Sequence, residues 1–297
     1  MILNIMRLLV VANLSKPKVE PAVKLLRSFL EERVTLVGVD SGKDMDLTQV
    51  DADGILVLGG DGTLLSVARR LAGRQIPIMG VNYGRLGFLA NFTPEELPIY
   101  FDRFVDGTLP TTKRIMLQVS RIPKGRACDH MDHDEVAEHA DFSQVVLNDA
   151  VITAGPPFRM IQIDLSIDSE PGVSYFGDGL LVATPSGSTA YNVSAGGPIL
   201  GSQVDGICLT PLCPHSLSFR PVVYGSRSTV TIDLKRVNTG TSLVCDGQGA
   251  TNLNNGDRVI IRRAENDVVI VENPDAGQWR ALAEKLGWAA TPRYKRN

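Results

Sequence analysis

The chain has 297 residues and a mass of 32.1 kDa, enough for two domains at roughly 100–200 residues each and too long for a single-motif peptide. Hydrophobic residues make up 43% and charged residues 21%, which excludes a disordered chain. Lys+Arg 30 against Asp+Glu 33 leaves a formal charge of −3 and a pI near 5.8, so nothing points to nucleic acid or an anionic membrane as partner.

Cys128, Cys208, Cys213 and Cys245 are too few and too irregularly spaced for a disulfide framework, and fit a reducing compartment. Residues 1–12 are apolar but lack a basic leader and are interrupted by Asn4 and Arg7. Their second half, 7–12, reads as a buried strand. No run approaches the ~20 apolar residues of a membrane helix, so a cytoplasmic protein is expected.

The spacing of Ala22, Val23, Leu25, Leu26, Phe29 and Leu30 predicts a helix over 20–32, followed by a strand at 34–39. A strand at 54–58, a helix at 64–71 and a strand at 76–81 come next. β-branched runs separated by helices imply an open α/β domain with a parallel sheet, whose ligands gather at the carboxyl ends of the strands. After residue 107 the period changes to two. Residues 161–168 and 230–235 alternate apolar and polar, and 259–261 and 268–271 add two strands, so an all-β, sandwich-like domain is expected. Residues 276–288 return to helical spacing and end in a short basic tail. The expected division is 1–108, 109–275 and 276–297, with the terminal helix packing back on the α/β domain.

The strand at 54–58 runs into Gly59-Gly60-Asp61-Gly62-Thr63 and then a helix, an arrangement that favours a phosphate. It lacks the Gly-Lys-Ser/Thr of a P-loop and the third glycine of a dinucleotide fingerprint. Asp61 would repel a bare phosphate, but suits a hydroxyl that is to receive one. A second glycine- and hydroxyl-rich loop spans 177–197, with Gly187, Ser188 and Thr189 preceding a helix-like 190–194 and Tyr191 offering a flat face for a ring; it reads as a ligand loop or a structural connection. In 145–152, Asn148 and Asp149 interrupt an apolar strand, and either cap a bulge or hold a ligand's hydroxyls.

These segments together resemble the NAD kinase family over nearly the whole chain. The glycine turn is shared with phosphofructokinases and lipid kinases. More specific are GDGLLVATPSGSTAYNVSAGGPIL from Gly177 to Leu200 and LTPLCPHSLSFRPVV from Leu209 to Val223. GVNYGRLGFL from Gly80 to Leu89, Asn148-Asp149, Cys245-Asp-Gly-Gln248 and Lys285-Leu-Gly-Trp288 add to them. Phe176 and Ser186 depart from the common pattern without removing a reacting group.

The resemblance implies ATP-dependent phosphorylation of the 2′-hydroxyl of the adenosine ribose of NAD, giving NADP, with a divalent cation such as Mg²⁺. On it, Asp61 is the proton acceptor, and Gly59, Gly60, Gly62 and Thr63 form the phosphate loop. Asn148 and Asp149 hold ribose hydroxyls, and Asp178 is the acidic residue of the Gly-Asp-Gly. Thr189, Ala190, Tyr191, Asn192, Val193 and Ser194 line the dinucleotide pocket, with Gln248 beside it. Phe88 lies near the adenine or in the core, Arg159 is a binding or a surface arginine, and His215 is structural or catalytic. The family commonly forms homodimers or homotetramers in which a neighbouring subunit completes the NAD site. A lipid or sugar kinase, or a module that senses NAD without turning it over, are the other readings. The segment 128–139 gathers His130, His133 and His139 beside Cys128 and reads as a solvated hairpin insertion or a zinc or nickel site.

Overall fold

The structure is a computed structural model describing residues 5–84, 87–126, 131–170 and 172–288. In chain order it contains β1 (Arg7–Ala12), α1 (Val19–Glu31), β2 (Thr35–Asp40), β3 (Gly54–Gly59), α2 (Asp61–Arg70), β4 (Ile78–Asn82), α3 (Leu97–Val105), β5 (Thr111–Arg114) and β6 (Leu117–Ile122). Then follow α4 (His133–His139), β7 (Phe142–Val146), β8 (Asp149–Thr153), β9 (Ile161–Ile167), β10 (Val173–Gly177) and β11 (Gly179–Ala183). A 3₁₀ turn at Gly187–Thr189 leads to α5 (Tyr191–Ser194), β12 (Gly206–Leu212), β13 (Val222–Gly225), β14 (Val230–Arg236) and β15 (Ser242–Cys245). The chain closes with β16 (Gly249–Asn252), β17 (Arg258–Arg263), β18 (Val268–Val271) and α6 (Gln278–Leu286).

Two compact units result, the first from the described residues of Met1–Arg70, Gln75–Lys113 and Val269–Asn297, the second from Leu71–Arg74 and Arg114–Val268. The first holds the sheet β2-β1-β3-β4-β18-β5, in which β1 to β4 and β18 pair in parallel. β3 and β4 are buried throughout, as a sheet covered on both faces requires. On one face Val19, Leu30, Phe101 and Phe104 pack against Leu8, Val10, Leu56 and Leu58. The strand order doubles back on either side of β1 and β3, which makes the gap between their carboxyl ends the topological switch point.

The second unit holds two six-stranded sheets, β10-β9-β14-β17-β6-β7 and β13-β12-β11-β8-β15-β16. The alternation read at 161–167 and 230–236 turns Ile161, Ile163, Val230, Ile232 and Leu234 inward, where they meet Ile152, Leu180, Val182, Leu209 and Leu243 of the other sheet. This is the expected sandwich.

Four details differ from the sequence reading. The run 268–271 is a strand of the parallel sheet, with Ile270 opposite Ile78, and not of the sandwich. Leu25, counted to the buried face of α1, is 80% exposed. The segment 145–152 is two strands, β7 and β8, in different sheets, with Leu147-Asn148 as the crossover. Within 128–139 lies α4, started by a capping box between Asp132 and Glu135; Cys128 and His130 lie outside the described residues. At ~100° per residue a helix turns His133 and His139 to different faces, and among the described residues no group of His, Cys, Asp and Glu is arranged to hold a metal ion.

Candidate active site

In the first unit, Gly59 closes β3 and Asp61 opens α2. The Gly60 carbonyl accepts from Thr63 N at 2.9 Å and Leu64 N at 3.2 Å, while the N–H groups at the head of a helix favour an anion. The Asp61 carboxylate folds onto the loop that follows β4: Oδ2 accepts from Phe88 N at 2.8 Å, and Oδ1 from Leu89 N at 3.2 Å and Ala90 N at 2.9 Å. Gly87 lies so close to that carboxylate that a Cβ would collide with it. The sequence motifs at 59–63 and 87–89 are thus one construction, in which the carboxylate organises the Phe88 turn and keeps 31% of its side-chain surface open.

A second contact comes from the chain's other end. Lys285 on α6 puts Nζ 3.8 Å from Asp61 Oδ2 and 4.1 Å from the centre of the Phe88 ring. Burial pushes its ammonium below the usual value, opposed by the Asp61 charge. Phe88 is therefore half-buried under a cation, an attraction between ammonium and ring face.

In the second unit, Asn148 and Asp149 sit at the crossover from β7 to β8. Three successive N–H groups there go to one side chain: the Asp246 carboxylate accepts from Leu147 N at 3.1 Å, Asn148 N at 2.8 Å and Asp149 N at 3.2 Å. Asp246 and Gly247 have φ of 49° and 64°, the paired positive values of a type I′ turn joining β15 to β16. Gln248 is exposed on that turn. Asp149, 5% exposed, is pushed up to about 7 by burial and then by the Asp246 charge.

The loop after β11 meets the same end of the sheet, because Ala183 pairs with Asp149 and Thr184 N donates to Asn148 O at 2.9 Å. Its fully buried polar groups are spent internally. Leu200 N donates to Ser188 Oγ at 3.0 Å, Asn192 Nδ2 donates to Pro198 O at 2.9 Å, and Thr210 Oγ1 donates to Asn192 Oδ1 at 2.6 Å. Asn192 faces inward and fixes the turn, while Thr189, Ala190, Tyr191, Val193 and Ser194 are left at least partly open, Tyr191 at 50%.

Asp178 and Arg159 are not in this cluster. Gly179 pairs with Thr153 and Ala183 with Asp149, so Asp178 lies at the opposite end of the sheet, more than about 13 Å away at ~3.3 Å per residue. There Ala154 N donates to Asp178 O at 2.8 Å, and the Cys213 thiol, hydrogen-bonded to the Asp178 carboxylate, is pushed up by that bond and its charge. Arg159 is exposed on the loop leaving the same end of β8, and His215 is exposed in the connection from β12 to β13.

Sequence reasoning missed three residues. Asp246 had a local signal, the Asp-Gly pair of a hairpin. Lys285 had none beyond its motif. Lys16, in the loop after β1, donates to Gly59 O at 2.8 Å, and nothing in its neighbourhood of the sequence announces that.

A carboxylate beside a glycine turn at the carboxyl ends of a parallel sheet is an arrangement suited to phosphoryl transfer. A model of the ATP-NAD kinase N-terminal domain matches residues 11–109, and one of the ATP-NAD kinase C-terminal domain matches 147–273. The NAD kinase of Rhodopirellula baltica is 36% identical over 283 residues, covering 95% of this chain and 87% of the relative. That of Geobacter sulfurreducens is 40% identical over 237 residues, covering 80% and 79%. Among solved structures, an NAD kinase from Archaeoglobus fulgidus in complex with ATP superposes with a TM-score of 0.72 at 25% identity, covering 95% of this chain and 99% of that one. Yeast NADH kinase complexed with NADH shares the fold, with a TM-score of 0.83 at 24% identity and coverage of 99% and 91%. The chain belongs to the ATP-NAD kinase family. The matches to both halves set it apart from lipid and sugar kinases that share only the glycine turn.

Proposed function

We propose that this chain transfers the γ-phosphoryl group of ATP to the 2′-hydroxyl of the adenosine ribose of NAD, giving NADP and ADP. The observation that carries the reading, within a chain of this family, is the Asp61 carboxylate, held by three backbone N–H groups beside the glycine turn and still partly open. In the step, the ribose oxygen bonds to the γ-phosphorus, the bond to the β–γ bridging oxygen breaks, and the hydroxyl proton passes to Asp61. Because the transition state is loose, the proton leaves late and a carboxylate suffices as acceptor.

Gly59, Gly60, Gly62 and Thr63 receive the phosphates. Asn148 and Asp149 hold ribose hydroxyls, which the Asp246-pinned crossover supports by fixing both backbones. Thr189, Ala190, Tyr191, Val193, Ser194 and Gln248 line the dinucleotide, with Asn192 buried beneath them, and Phe88 sits at the adenine. Mg²⁺ characteristically binds through phosphates and one or two carboxylates rather than an all-protein cage. Asp61, partly open in the glycine turn, would supply one such carboxylate beside phosphates bound there. A cation held there would supply charge neutralisation of the phosphates.

The chain works as a homo-oligomer in this reading. β13 is an edge strand with Val222, Val223 and Tyr224 each more than 40% exposed, which suits contact with another copy. Asp178 and Arg159, remote from Asn148-Asp149 within one copy, then serve the site of a neighbour.

Purified protein incubated with NAD or NADH against ATP or polyphosphate, with and without a chelator, tests the proposal. NADP formed from NAD and ATP and abolished by chelation is expected; no phosphorylated product from any pair would overturn it.

A further inference from the structure

We propose that Lys16 is the residue that grips the terminal phosphates of the donor. Its loop leaves the carboxyl end of β1 and is tied down locally: Asn13 N donates to Leu58 O at 3.0 Å, Ser15 N to Asn13 Oδ1 at 3.1 Å, and Val19 N to Lys16 O at 3.0 Å. That path returns the Lys16 side chain across the switch point between β1 and β3, where Nζ donates to Gly59 O at 2.8 Å. Two glycines from different loops face the same ammonium. A Cβ built on Gly60 would lie 2.7 Å from Nζ, and one on Gly84 3.5 Å from it. No side chain can grow from either position to cover the charge, and two of its three N–H donors remain beyond the bond to Gly59. The Asn82 amide oxygen borders the same two glycines, 3.5 Å from each Cβ position.

The arrangement answers the electrostatic difficulty raised by Asp61. A triphosphate entering the glycine turn meets a carboxylate that repels it, and a turn of backbone N–H groups alone offers only partial charges. Lys16 supplies a full positive charge on the β3 side of the turn, whereas Lys285 lies against Asp61 itself. The division of labour follows: Lys285 attends the acceptor carboxylate, and Lys16 attends the donor phosphates as a flexible point charge. Lys16 is a binding residue for the donor and makes no demand on the dinucleotide.

The inference rests on the proposed function for the identity of the donor, and its test separates the two. Lys16→Gln is expected to raise KM for MgATP about tenfold or more, the loss of one charge-assisted contact. KM for NAD should stay within about twofold and the thermal midpoint nearly unchanged, and Lys16→Arg should recover part of the loss. An unchanged KM for MgATP, or equal rises in both KM values with a lowered midpoint, would mean that Lys16 only ties its loop to Gly59, and would overturn the proposal. A second measurement needs no variant: saturating MgATP or inorganic triphosphate should slow acetylation of Lys16 in the wild-type protein several-fold, and NAD alone should not. Equal acetylation with and without either phosphate overturns the proposal. Protection without NADP formation would retain Lys16 as a polyphosphate ligand and reject the proposed reaction.

Discussion

At the scale of the residue, Asp61 has two jobs that one substitution cannot separate cleanly. In Asp61→Asn the amide oxygen keeps Leu89 N and Ala90 N, but the amide nitrogen replaces Oδ2 and faces two donors, Phe88 N and the Lys285 ammonium. In this variant, kcat should fall by about 10²–10⁴-fold, the range for loss of a positioned base, and KM for NAD should also rise a few-fold as the Phe88 turn loosens. Steady-state kinetics decide, and an unchanged kcat would remove Asp61 from the chemistry. Asp149 carries a different signature. Its carboxyl titrates near 7 when folded and at about 3.8 otherwise, so the folded state binds the proton more tightly and loses stability as pH rises between those values. The variant Asp149→Asn should therefore gain on the wild type in thermal midpoint from pH 4 to pH 7 and keep a constant lead above it. A difference that does not vary with pH would contradict the buried position facing Asp246.

At the scale of the element, α6 brings the sequence's last motif to its first catalytic one. Lys285→Met keeps the buried stem and removes the ammonium, so kcat should drop about tenfold while the midpoint moves by less than ~4 °C, as for a partly exposed ion pair. Retention of full kcat would make α6 a covering helix only. The same scale shows what the sequence could disclose. Period-two alternation at 161–167 and 230–236 disclosed sandwich strands because one face of each must be dry. The all-apolar run 268–271 carries no period, and so did not say which sheet it joins. Residues 145–152 look continuous, because a crossover between two sheets over one core stays apolar on both sides. The glycine turn and the Asp-Gly hairpin were legible because backbone conformation selects their residues locally. Lys16 beside Gly59 and Lys285 beside Asp61 were not, since each pairing is made by the return of the chain and leaves no spacing to read.

For the whole molecule, the antiparallel register sends Asp178 and Arg159 to the end of the sheet remote from Asn148 and Asp149. If these residues serve a neighbour's site, a protein inactive through Asp61→Asn and one inactive through Asp178→Ala should complement each other when refolded together. Up to about a quarter of wild-type activity is expected in the simplest two-copy mixture, because random pairing makes about half of the dimers mixed and one of the two sites in each mixed dimer regains both residues. Mixtures no more active than their components would confine each site to one copy. The charge of the whole chain is compatible with the proposal: a glycine turn, a helix terminus and individually placed lysines would let a slightly acidic protein bind a polyphosphate without a basic surface.

The most direct test of the account is the position of the phosphate in the product. Wild-type protein given NAD, γ-labelled ATP and Mg²⁺ should place the label on the 2′-oxygen of the adenosine ribose, yielding a product that serves an NADP-specific dehydrogenase. Label released only as inorganic phosphate, or found on any other acceptor, would contradict it.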